Sequence, residues 1–190
     1  MSADKKLRDH GPAFVVIRGK AGSGKSTLAQ SIARQPGYIR VDYDAEMARA
    51  YHRYGVGTEE VRDLARQEGR IAAGRLARSH LAEGRSVVCD ADVRDSRELS
   101  DLTSYGGSPP PNVRLVVLRL GISREEARRR KVTPEWNEFR LSPGTARRFF
   151  EVMWNYPFTR VEGERPIDVE EKSPEQCLGE ALQVIAPSEA

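Results

Sequence analysis

Gly19-Lys20-Ala21-Gly22-Ser23-Gly24-Lys25-Ser26-Thr27 decides how the rest of the chain is read. Gly19, Gly24, Lys25 and Ser26 satisfy G-x-x-x-x-G-K-[ST], a pattern whose glycines let successive backbone amides wrap an anion. At background composition, such a match arises by chance in roughly one chain of this length per hundred. The flanks reduce that further. Ala13-Phe14-Val15-Val16-Ile17 is an apolar, β-branched run that reads as a strand, and Leu28-Ala29-Gln30-Ser31-Ile32-Ala33 is helical in character. Strand, glycine-rich loop and helix is the order the motif needs. A helix starting near Lys25 brings its positive end to the same place. The expected ligand is a nucleoside triphosphate, held by Gly19, Ala21, Gly22, Ser23, Gly24, Lys25, Ser26 and Thr27. Lys25 is expected to reach the outer phosphates and the Ser26 hydroxyl to hold Mg²⁺.

Outward from the loop, the carboxyl ends of other strands carry acids. Tyr38-Ile39-Arg40-Val41 reads as a second strand ending in Asp42-Tyr43-Asp44, and Arg85-Ser86-Val87-Val88-Cys89-Asp90 as a third. In an open parallel sheet those ends face the ligand crevice. Asp42 or Asp44 is expected to take a proton from an attacking hydroxyl or to help hold Mg²⁺ through water, although Asp also caps helices well and Ala45-Glu46-Met47-Ala48 looks helical. Asp90 resembles the acid that organises Mg²⁺ beside a phosphate loop.

The remaining elements alternate. Thr58 is expected to open a helix running to about Glu83, with Val61, Leu64, Ala65, Ile71, Ala72, Leu76 and Leu81 as its apolar stripe and Gly84 closing it. Asp95-x-x-Glu98 and Ser123-x-x-Glu126 both fit capping boxes. Val113–Leu118 is the strongest strand. The helix after Ser123 carries Arg124 and then Arg128-Arg129-Arg130-Lys131, more cations than a helix dipole needs. It reads as an arginine-rich lid, with Arg124 on the nucleotide and Arg128 on the transferred phosphoryl. Thr133–Ser142, with Trp136 and Arg140, reads as a loop over substrate, and a helix is expected from Ser142-Pro143 through Phe149, Phe150, Val152 and Met153. Pro166–Val169 is the expected last strand, and Ser173-Pro174-Glu175-Gln176 opens the closing helix.

Composition sets the outer limits. The chain has 190 residues and a formal net charge of +3, and only six of its 31 basic residues are lysine. Arginines at helical spacing among acids are usually a solvated face, so the basic balance does not by itself indicate nucleic acid. The sequence has no apolar run near the length of a membrane span, and the first residues lack a signal-peptide core. Cys89 and Cys177 lack metal-ligand spacing, which fits reduced thiols and a cytoplasmic setting. Residues 1–11 are expected to be a flexible N-terminus and 12–190 one α/β domain.

With loop, strand-end acids and arginine helix in place, the chain resembles the small phosphate-loop (P-loop) kinases. That superfamily includes nucleotide kinases, adenylylsulfate kinases, chloramphenicol phosphotransferases, zeta-toxin-type kinases and polynucleotide kinase domains. The resemblance implies a five-stranded parallel sheet of order 2-3-1-4-5 with helices on both faces. It also implies ATP and Mg²⁺ as cofactors. Asp42-x-Asp44 is similar to the D-x-D of adenylylsulfate kinases and to the strand-end acid of polynucleotide and zeta-type kinases, where an Asp accepts the hydroxyl proton. Val88-Cys89-Asp90-Ala91-Asp92 is similar in part to the polynucleotide kinase segment that continues Thr-Asn. Three functions follow as expectations. The first is a kinase for a hydroxyl of a small molecule, namely a nucleoside, metabolite or antibiotic. The second is a 5′-hydroxyl kinase on DNA or RNA ends, and the third a nucleotide-dependent regulatory module without phosphotransfer.

Overall fold

β1 (Ala13–Gly19) is buried along its whole length, as a strand flanked by neighbours and covered on both faces must be. The computed structural model describes residues 11–54, 58–104, 112–131, 150–151 and 154–186. In it, β2 (Tyr38–Asp42), β3 (Ser86–Asp90), β4 (Arg114–Gly121) and β5 (Arg165–Asp168) join β1 in one parallel sheet of order β2-β3-β1-β4-β5. This is the order that the resemblance to P-loop kinases implies. Six helices complete the described elements: α1 (Lys25–Ala33), α2 (Tyr43–Tyr54), α3 (Glu59–Ala82), α4 (Ser96–Ser104), α5 (Arg124–Lys131) and α6 (Pro174–Ile185).

Alternation along β1 divides the core. Val15 and Ile17 pack with Leu28, Ile32, Leu118, Ile167, Ala181 and Ile185 beneath α1 and α6. Phe14 and Val16 pack with Ala73, Ala77, Leu81, Val87, Cys89, Leu99 and Leu102 beneath α3 and α4. Both cysteines are buried free thiols. Among the described residues no helix is long and apolar enough to cross a membrane.

Local signals set most boundaries. Gly37 and Gly84 follow α1 and α3 at φ 81° and 76°, a left-handed conformation that glycine adopts without strain. Ser173 forms a complete capping box with Gln176, and Pro174 stands in the first turn of α6. At α4 the box is rearranged. Asp95 Oδ1 accepts from the Glu98 amide at 2.8 Å, but the Glu98 carboxylate accepts from the Arg94 amide. At α5, Ser123 caps Glu126 while the Glu126 carboxylate binds Arg129 and Arg130.

The apolar stripe expected on α3 is corrected. Leu64 and Leu76 are exposed, and the buried face is Ala65, Gly69, Ala73, Ala77 and Leu81, spaced four apart. Small residues let α3 approach closely. A Cβ on Gly69 would lie 3.2 Å from the Met47 backbone of α2. The segment Thr133–Ser142 and most of the helix expected after it lie outside the described residues. Phe150 is buried and stacks on Trp154 with ring centroids 5.7 Å apart.

One buried ion pair ties the end of β1 to the rest of the fold. Arg18 is fully buried and donates to Glu164 Oε2 (2.6 Å), Val93 O (3.0 Å), Arg94 O (2.8 Å) and Thr159 O (2.8 Å), with its guanidinium 4.2 Å from the Phe158 ring centroid. Glu164 also pairs with Arg119 on β4 at 2.9 Å. Removing one partner of such a pair leaves the other buried and uncompensated. Arg18→Met is therefore expected to destabilise the protein by about 3 kcal/mol, to be read by denaturant unfolding. A loss below about 1 kcal/mol would mean that the network contributes little.

Candidate active site

The loop between β1 and α1 has the backbone its glycines predict. Gly22 and Gly24 sit at φ 86° and 87°, and Gly24 occupies the N-cap of α1, where no side chain caps the helix. The first amides of α1 therefore point at the mouth of the loop without an intrahelical partner. Gly19 is crowded. A Cβ there would meet Ser23 Oγ at 2.7 Å and Leu120 O at 2.9 Å. Ser23 Oγ is buried and has no hydrogen-bond partner among the described residues. Lys25 Nζ donates to Gly19 O at 2.8 Å and reaches Lys20 O at 3.4 Å, which holds its charge across the loop. Uncapped amides, two left-handed glycines and a central ammonium fit a triphosphate.

Four carboxylates gather beside the loop, and their partners separate them. Asp42 and Asp90 are cross-strand neighbours on β2 and β3. Asp42 caps α2 through the Ala45 amide at 3.1 Å and pairs with Arg40 at 3.0 Å. Asp90 is buried, and both its oxygens accept from Arg40, each at 2.9 Å. A metal contact at Asp90 would require that bidentate pair to open. Asp44 and Asp92 have no hydrogen-bond or ion-pair partner among the described residues. Asp44 stands in the first turn of α2 and reaches solvent, yet protein atoms crowd it. That crowding pushes its carboxyl up to about 6, Lys25 opposes the rise, and Asp90, Asp42 and Asp92 add to it. Among the described residues, these carboxylates included, no three His, Cys, Asp or Glu side chains are placed to hold a metal ion together.

The arginine helix is largely engaged with its own protein. Arg124 pairs with Glu151, Arg129 with Glu126, and Arg130 with Glu126 and the Val169 carbonyl. Arg128 is half-buried and has no partner among the described residues. A second cationic feature was not anticipated from the sequence. Trp154, Tyr156 and Phe158 alternate along one segment and pack against cations: Lys20 near Trp154 and Phe158, Arg66 and Arg94 over Tyr156, and Arg18 over Phe158. Lys20 Nζ also donates to the carbonyls of Trp154 (2.7 Å) and Tyr156 (2.5 Å), which fastens this segment to the phosphate loop. The visible signal was W-x-Y-x-F at period two.

A family model described as AAA domain matches residues 14–138, from β1 through the arginine helix. The chain belongs to the AAA domain family. Among solved structures, this AAA domain is similar to a gluconokinase from Sinorhizobium meliloti 1021, with a TM-score of 0.65, 21% identity, and 93% of each chain covered. It is also similar to the APS kinase CysC of Mycobacterium tuberculosis, in complex with AMPPNP and APS (TM-score 0.66, 15% identity, 94% of this chain and 99% of that one). A third similar structure is a chain of the Pnkp1/Rnl/Hen1 RNA repair complex (TM-score 0.51, 20% identity, 77% of this chain and 45% of that one). No curated protein matches in sequence. The fold is that of the P-loop kinases.

Proposed function

We propose that the protein is an ATP- and Mg²⁺-dependent kinase that transfers the γ-phosphoryl group to a hydroxyl of a small molecule, with residues 12–190 acting as one domain in the cytoplasm. The observation that carries this reading is Asp44, an open carboxylate on the crevice side of α2, within electrostatic reach of Lys25 and raised to about 6. A base poised near the working pH suits proton removal from an alcohol. Asp44 takes the hydroxyl proton as the acceptor oxygen bonds to the γ-phosphorus. The bond from that phosphorus to the β,γ-bridging oxygen breaks, and ADP leaves. Lys25 and the amides of Gly22–Thr27 hold the phosphates in line. The Ser26 hydroxyl is the group that would hold Mg²⁺, which would supply further charge neutralisation. Arg128 is the lid cation best able to approach the transferring group, because Arg124, Arg129 and Arg130 already hold carboxylates.

A second reading is a 5′-hydroxyl kinase on nucleic-acid ends, favoured by the likeness to the RNA repair complex chain and by the Trp154–Phe158 aromatic row with its cations. Incubation with γ-labelled ATP and separate pools of sugars and sugar acids, nucleosides, antibiotics and oligonucleotides separates the two. Label is expected in a small-molecule pool. Label confined to oligonucleotides would favour the second reading. Label found only as free phosphate would leave a regulatory module that hydrolyses nucleotide without transferring it.

A further inference from the structure

An open cleft of about 640 Å³ lies between α3 and α4, lined by Arg66, Arg70, Arg94 and Glu98 among others. Its arginines are unusual in their burial. Arg66 is 5% exposed and Arg70 7%, and the one buried carboxylate beside them, Glu98, serves two guanidiniums. Glu98 accepts from the Arg94 amide at 2.8 Å and Arg94 Nε at 3.0 Å, but it reaches Arg70 Nη1 only at 3.4 Å. Arg70 Nε and Nη1 are buried with no hydrogen-bond partner among the described residues. Arg66 donates to Asp63 at 2.8 Å, and that carboxylate is 60% exposed.

Arg70 and Arg94 thus share one buried carboxylate, Arg66 holds an exposed one, and Arg70 is left largely unbonded. Arg97, Glu60, Asp63, Asp95 and Asp101 also line the cleft, so its four arginines are matched by five carboxylates, and the unmet hydrogen-bonding capacity lies at Arg70. A buried guanidinium without acceptors is costly, and its planar fork matches an oxyanion. The Asp63 contact, being in water, is weak enough to be exchanged for a ligand.

The cluster adjoins both halves of the proposed site. The Tyr156 ring lies 4.9 Å from the Arg66 guanidinium and 5.2 Å from that of Arg94, while its carbonyl accepts from Lys20 of the phosphate loop. Tyr43, next in sequence to Asp44, donates through its hydroxyl to the Arg66 carbonyl at 3.4 Å. We propose that the acceptor carries an oxyanion, a carboxylate or a phosphate, that docks on Arg66, Arg70 and Arg94 while its hydroxyl meets Asp44. This rests on the kinase reading.

The test has a binding arm and a turnover arm. With the phosphate loop filled by saturating ADP and Mg²⁺, inorganic sulfate is expected to raise the Tm of the full chain. Arg66→Gln and Arg70→Gln are expected to weaken that sulfate effect at least tenfold in concentration. Arg66→Gln keeps the proposal testable if Arg70→Gln fails to fold, and ADP binding by each variant confirms an intact loop. In turnover, sugar acids, sugar phosphates and their neutral parents are compared, which distinguishes the two oxyanions. The variants are expected to raise KM for an anionic acceptor by roughly ten- to a hundredfold with a smaller change in kcat. An unchanged sulfate effect in both folded variants would overturn the proposal. So would transfer to neutral acceptors alone with unaltered KM, although the kinase reading would then stand. Loss of the sulfate effect in the variants without transfer to any pool would keep the oxyanion site and remove the kinase reading.

Discussion

Lys25→Ala is expected to abolish turnover, lowering kcat/KM by on the order of 10³-fold or more. Among the described residues, Lys25 Nζ is the cation bonded across the phosphate loop itself, to Gly19 O and Lys20 O. In phosphoryl transfer the protein contributes mainly positioning and charge, so removing a cation at the bond being broken affects the transition state more than ground-state binding. Backbone amides of the loop and of the α1 N-terminus remain, so nucleotide binding is expected to weaken less than kcat falls. The cost to the fold is small. Lys25 is only part-buried and forms no ion pair among the described residues, so the Tm is expected to move by a few degrees at most. The measurement is ADP release under steady-state conditions beside a thermal melt. Turnover above a tenth of the parent rate in a folded Lys25→Ala protein would sink the assignment of the loop as donor site.

Legibility differed between backbone and side chains. The sheet order was implied only by the family resemblance, whereas the loop, the strands and the α6 cap follow from local rules: glycines at left-handed positions, β-branched runs, and Ser-Pro with Gln176 three residues after the serine. Partnerships between distant side chains did not. Asp42 and Asp90 looked equivalent to Asp44 in sequence, because nothing local says that Arg40 sits in register to take both oxygens of Asp90. The α3 stripe failed for a related reason. A scale that rewards Leu64 and Leu76 overlooks that close packing against α2 selects Gly69 and Ala73 instead. The arginine run on α5 read as a phosphate lid, yet Glu126 and Glu151 engage three of its arginines, and which cation remains open is a tertiary fact. Arg18 gave no signal at all, since an arginine inside an apolar strand becomes intelligible only once Glu164 is brought beside it.

Asp44→Asn is expected to lower kcat by about 10²–10⁴-fold, with ATP still bound. The isosteric amide keeps the first turn of α2 but cannot take the hydroxyl proton. The same substitution is expected to stabilise the protein at neutral pH, and the sign follows from the direction of the shift. Crowding and three neighbouring carboxylates raise Asp44 from its ordinary 3.8 to about 6. Between those values the folded chain binds more protons than the unfolded one. The contribution to stability is therefore greatest at low pH and declines as pH rises through about 6. Above that, the charged carboxylate is a cost that Asn removes. Because Asp44 reaches solvent, screening reduces the gain to on the order of 1 kcal/mol. Activity of the parent protein is expected to move the other way, rising with pH through about 6 if Asp44 is the base. Opposite movements of kcat and Tm in one variant mark a residue held in an unfavourable state for chemistry, whereas a merely structural acid would lose both. If Asp44→Asn keeps full kcat, the proton goes elsewhere. Asp92, the other acid without a partner among the described residues, is then the group to replace.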